Sequence, residues 1–162
     1  MTELIVITFD NDDEARNAYD KVLNLQEDLV LELAGLALVK VDASGKTQVE
    51  TPHSGDLKAG VGRGALFGAL LGLLFFVPFL GLAVGGALGA LFAHLDKSPV
   101  NAEFRDRIHA AVTAGKSAVV VYASTIDEDA FTEGMRPFGG TSVRTTISEE
   151  EEDRLTHDAA AA

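Results

Sequence analysis

Residues 4–19, LIVITFDNDDEARNAY, decide the fold. Leu4–Phe9 is a run of β-branched, aliphatic and aromatic residues, and it stops at Asp10, Asn11, Asp12 and Asp13, residue types that start helices. From Glu14 onward Ala15, Ala18, Tyr19, Val22, Leu23 and Leu25 recur at spacings of three and four, which predicts an amphipathic helix to about Gln26. A strand therefore feeds a helix. Residues 120–132, VVYASTIDEDAFT, repeat that order weakly. Ser117–Ala123 reads as a strand, and Thr125 and Asp127 open a helix that ends near Met135, because Pro137 cannot continue it and Gly139 and Gly140 turn the chain.

The remaining elements complete two matching units. Leu33–Val41 is a strand that turns at Ala43, Ser44 and Gly45 into a short partner, Lys46–Glu50. Thr141–Ile147 closes the second unit. Before it, Asn101 caps a helix to Ala114, with Phe104, Ile108, Ala111 and Val112 on one face and Gly115 as its stop. Two βαβ units in one sheet predict an α+β fold, a ferredoxin-like antiparallel sheet with helices on one face. The chain then divides into a first half (1–55), an inserted apolar hairpin (56–96), a helix with the second half of the same domain (97–148) and a tail (149–162). Glu149–Asp153 is acidic and Ala159–Ala162 is polyalanine, which predicts a solvated terminal helix or a frayed end.

Composition narrows the function. The chain has 162 residues, enough for one domain with a core, and a formal net charge of −12, which repels phosphate backbones and argues against nucleic acid as a partner. It has no cysteine, so disulfides, thiolate nucleophiles and cysteine metal sites are excluded. The first ten residues lack a basic start and a long apolar run, so they do not read as a signal peptide, and the expected location is cytoplasmic.

The insertion is the most unusual part. Gly60, Gly64, Gly68 and Gly72, then, beyond Pro78, Gly81, Gly85 and Gly89, stand at four-residue intervals in an apolar setting. A helix-interior glycine costs roughly 1 kcal/mol against alanine, so the seven together forfeit about 7 kcal/mol of helix propensity. Residues four apart share a face, and each glycine row is a groove into which another helix backbone can press, as in small-xxx-small helix pairs. Residues 64–93 carry no charge. Pro78 divides them into two stretches, each shorter than the roughly 20 residues a straight membrane span needs. A single crossing would also separate the two half-sheets, so the segment is expected to double back around Phe75–Phe79. Lys58 and Arg63 before it and Lys97 after it fit a cytoplasmic base, although Asp56 and Asp96 blunt that asymmetry. The side away from the glycines is apolar too, with Leu66, Phe67, Leu70, Leu71, Leu73 and Leu74 on the first arm. A helix apolar all round needs lipid or protein around it, and the expectation is a bilayer or the shared interior of a homo-oligomer, with a fold back over the open face of its own sheet as the lesser alternative.

No constellation points to catalysis. His53, His94, His109 and His157 are scattered, with no pair at metal-ligand spacing. The acidic run after the first strand lacks the central glycine and distant glutamate of a calcium loop. Gly60, Gly62 and Gly64 lack the preceding strand and the lysine of a phosphate loop. Arg136 with Pro137, Phe138, Gly139 and Gly140 reads as a turn carrying one exposed charge.

The opening LIVITFDNDDEA, the zipper segment with its central Pro78, the stretch FRDRIHAAVTAGKSAVVVYA and the RPFGG turn together resemble a bacterial family catalogued as domain of unknown function 1269. The resemblance covers nearly the whole chain. It implies an α+β domain carrying a glycine-zipper hairpin, and it implies no reaction, cofactor or ligand. The reading is a non-enzymatic self-assembling protein. Its hairpins would associate through Gly60, Gly64, Gly68 and Gly72 against Gly81, Gly85 and Gly89, with membrane association expected. The alternatives are a soluble oligomer enclosing a lipid or quinone-like ligand and, by fold analogy alone, a dimeric α+β-barrel enzyme.

Overall fold

A computed structural model describes residues 2–52, 61–75 and 99–161. Strand β1 (Thr2–Phe9) leads into helix α1 (Asp12–Glu27), and β2 (Leu31–Val41) turns into β3 (Thr47–Glu50). Helix α2 (Val61–Phe75) is the first arm of the glycine segment. Helix α3 (Ala102–Ala111), β4 (Ser117–Ile126), α4 (Glu128–Met135), a 3-10 turn (Arg136–Phe138), β5 (Thr141–Ile147) and α5 (Glu149–Ala161) follow. Among the described residues the strands form one antiparallel five-stranded open sheet in the order β3-β2-β4-β1-β5, accompanied by five α-helices.

Helix starts follow local chemistry. Asn11, Asn101 and Asp127 each accept a hydrogen bond from the backbone amide three residues on, at 2.9, 3.0 and 3.2 Å. Ser148 and Glu151 form a reciprocal capping box at α5: the Glu151 amide donates to Ser148 Oγ at 3.2 Å, and the Ser148 amide donates to Glu151 Oε2 at 3.0 Å. Helix α3 stops at Ala111, three residues before the expected end. Gly115, at φ 83°, swings its amide onto Val41 O at 2.8 Å, and the turn belongs to the β2–β4 ladder instead.

Helices cover both faces of the sheet, not one. Ile5, Ile7, Phe9, Leu36, Leu38, Val119 and Val121 pack beneath α1 and α4. Leu4, Val6, Ala37, Val39, Val120 and Tyr122 face the other way, beneath α2, α3 and α5. Alternate residues of β1 and β4 thus enter two separate cores, which is why LIVITF and SAVVVYA are unbroken apolar runs.

Two expectations change with this second core. The apolar side of the first arm is covered by the chain's own sheet rather than by lipid or another subunit: Leu66, Phe67, Leu70, Leu71, Leu74 and Phe75 are all buried there. Gly35 in β2 makes the close approach possible, because a methyl group at that position would overlap the Phe67 ring. Phe67 also stacks on Tyr122, opposite Gly35 in the ladder, with ring centroids 6.0 Å apart and planes 8° from parallel. The acidic tail is likewise a docked helix. Leu155 is buried, and Glu152 accepts a hydrogen bond from Tyr122 Oη at 2.7 Å beneath α5.

Candidate helix-packing site

Helix α2 combines two unlike surfaces. Its large side chains are committed to the sheet, while Gly68 is exposed and Gly72 half-buried. Among the described residues nothing lies within 4 Å of where a Cβ at either glycine would stand. Among the described residues the backbone of α2 is therefore open to close approach on the side opposite its anchor, the geometry in which small residues let two helix axes come near. The large residues already stand opposite the glycines in the sequence, which leaves open whether lipid, a second subunit or the chain's own sheet takes that side. Gly35 and the Phe67 ring decide it.

The anchored end of α2 carries a specific polar contact. His109 Nε2 lies 2.7 Å from the Leu74 carbonyl oxygen. A carbonyl only accepts, so Nε2 carries the proton in this bond. In a continuing helix that carbonyl would take the amide four residues on, but residue 78 is proline and has no N–H. His109, on the last turn of α3, supplies the donor that the sequence withholds. Beside it an open cavity of about 360 Å³ is lined by Leu74, Phe75, Val112, Thr113 and Val41, with His109 at its wall. Replacing His109 by leucine is expected to cost about 1–2 kcal/mol by orphaning a half-buried carbonyl, whereas His109→Gln, which keeps a donor, recovers part of it. Urea unfolding midpoints of the two variants check this, and equal stabilities would remove the bond from the account.

Two carboxyls of the neighbouring β2–β3 hairpin and Arg16 of α1 are electrostatically perturbed. The Ser44 hydroxyl, at 2.6 Å, and the Lys46 amide, at 2.8 Å, hold the Asp42 carboxyl below the usual carboxylate range. Arg16, hydrogen-bonded at 2.5 Å, does the same to Glu50, and that bond raises the Arg16 guanidinium in turn. Both lowered carboxyls favour the folded chain above the ordinary carboxylate range, and the contribution is lost as pH falls through their lowered values. Among the described residues no three histidine, cysteine or acidic side chains stand together as a metal site.

The sequence-derived positions are only partly in view. Gly64, Gly68 and Gly72 lie in α2, as does Arg63 in its first turn. Gly60, Gly81, Gly85, Gly89, Pro78, Lys58 and Lys97 lie outside the described residues. The structure adds Gly35, Phe67, Tyr122, His109 and Glu152 as the groups that seat α2 and α5. No described helix is long and apolar enough to cross a membrane.

A mixed α+β protein with an apolar, glycine-bearing helix laid on its sheet is the class that this arrangement defines. The chain belongs to the DUF1269 family: the family model described as "Protein of unknown function (DUF1269)" matches residues 62–160, from the start of α2 to the end of α5. No curated protein and no solved structure matches the chain.

Proposed function

We propose that this protein self-assembles through the glycine-bearing side of α2, with the sheet acting as the platform that presents it. The observation that carries the reading is the division of α2 into a buried side of large residues and a side at Gly68 and Gly72 that no described residue covers at the Cβ positions. The platform is ferredoxin-like in this reading. Support comes from the interleaving of β1-α1-β2 with β4-α4-β5, which leaves β4 and β1 at the centre of the sheet and β3 as an added edge. The partner is another copy's glycine-bearing hairpin, and no reaction is required.

Gly68→Leu and Gly72→Leu test it. Each substitution meets open space among the described residues and raises helix propensity by about 1 kcal/mol, so the fold is expected to persist or gain stability. Native mass spectrometry should then show smaller assemblies. An unchanged oligomer size in both variants would reject the proposal. Fractionation without detergent separates assembly in water from assembly in a bilayer.

The cavity at the end of α2 favours a second reading, an oligomer that holds an apolar ligand against Phe75 and Val112. Organic extraction of the purified protein, looking for a stoichiometric lipid or quinone-like compound, tests it.

A further inference from the structure

Leu29 ends α1 in a conformation that its side chain disfavours. The helix closes as a Schellman turn: the Val30 amide donates to Leu25 O at 2.9 Å and the Leu29 amide to Gln26 O at 3.0 Å. That turn places residue 29 at φ 63°, in the left-handed region where glycine is the common occupant. Leu29 is also 84 % exposed, the one large apolar side chain so exposed among the described residues. Glycine would relieve the backbone and a polar residue would suit the solvent, so leucine serves neither the turn nor the core.

The same side chain forms one wall of an open groove of about 250 Å³, completed by Gln26, Leu31, Glu32 and Thr125. Leu31 is its buried floor. The Gln26 wall is fixed, since its Oε1 accepts from the Leu33 amide at 3.2 Å where the β2–β4 register shifts. Around the groove Glu27, Asp28 and Glu32 are exposed, and none of them forms an ion pair with a described residue. Asp127, whose amide donates to Val30 O at 2.8 Å, adds a fourth acidic residue beside the turn. A second copy seated here would bring the same acidic rim against itself in a chain of net charge −12.

We propose that this groove docks a short basic segment of another protein. One apolar residue of the partner packs against Leu29 and Leu31, and flanking lysines or arginines face Glu27, Asp28 and Glu32. The surface uses no residue of α2, so it stands or falls apart from self-assembly.

The probe is a labelled peptide of lysines and arginines around one central leucine, compared by fluorescence anisotropy with the same peptide carrying a central serine. The wild-type chain should bind the leucine peptide about fivefold more tightly, the preference expected from burying part of one leucine side chain. Leu29→Gly should erase that preference while raising Tm, and Glu32→Lys should weaken both peptides. Equal affinity for the two peptides in the wild type would overturn the proposal, as would a leucine preference that survives in Leu29→Gly. A fall in Tm on Leu29→Gly would make the leucine structural and overturn it too. A wild-type dimer that Leu29→Gly dissociates in analytical ultracentrifugation would give the groove to a second copy instead.

Discussion

Gly35→Ala is expected to destabilise the folded chain by about 3 kcal/mol, at the upper end of overpacking effects in a filled core. The new methyl would overlap the Phe67 ring, including the Cγ at its root, so no rotation of the ring tip makes room. The ring cannot slide far either, because it stacks on Tyr122 in the adjacent strand and is itself buried. Relief must come from lifting α2 away from β2, which loosens Leu66, Leu70 and Leu74 together. A double-mutant cycle gives the sharpest reading. Phe67→Ala alone should cost about 3–5 kcal/mol. In that background Gly35→Ala should reverse sign and stabilise by about 0.5 kcal/mol, since alanine suits a strand better than glycine once the ring is gone. Denaturant midpoints measure all four corners, and additive effects would show that Gly35 does not make room for Phe67.

That pair also shows what the sequence displays and what it conceals. The order of strands and helices is written in local signals: Asn11, Asn101 and Asp127 stand where the caps form, and Pro137 with Gly139 and Gly140 marks the turn before β5. The two-sided burial is written as well, in the unbroken runs LIVITF and SAVVVYA. An antiparallel sheet commonly leaves one face wet, and that prior hides the signal. The seating of α2 is not local. The large residues stand opposite the glycines, but only a missing side chain in a strand far away in sequence shows that the sheet, rather than lipid or another subunit, receives them. A glycine in the middle of LELAGLALVKV is the available hint, since it weakens a strand unless something must come close. The tail misleads for a related reason. Four consecutive glutamates read as solvated, although Ser148 and Glu151 carry the capping-box spacing, and which glutamate turns inward depends on where Tyr122 waits on the sheet.

Tyr122→Phe is accordingly expected to cost about 2 kcal/mol, within the range for losing a hydrogen bond to a carboxylate. Phenylalanine keeps the ring, its stacking on Phe67 and the packed volume, so the substitution isolates the hydroxyl. Tyr122 is 0 % exposed and Glu152 only 7 %, and their bond is 2.7 Å long. Water therefore has little access to replace the lost donor, and the buried carboxylate is left less well solvated. Leu155, three residues beyond Glu152 and on the same side of α5, remains as an apolar anchor. The damage should thus concentrate at α5: hydrogen exchange of its amides should speed up, while the central pair β1 and β4 keeps its relative protection. Global Tm should fall by about 5 °C for a chain of this size. Adding Glu152→Leu to Tyr122→Phe removes the buried carboxylate and should return part of the loss, because replacing both members of a buried polar pair by apolar groups is less harmful than removing one. If Tyr122→Phe leaves both Tm and α5 exchange unchanged, the hydroxyl does not hold the helix, and Leu155 with the capping box must account for its docking alone.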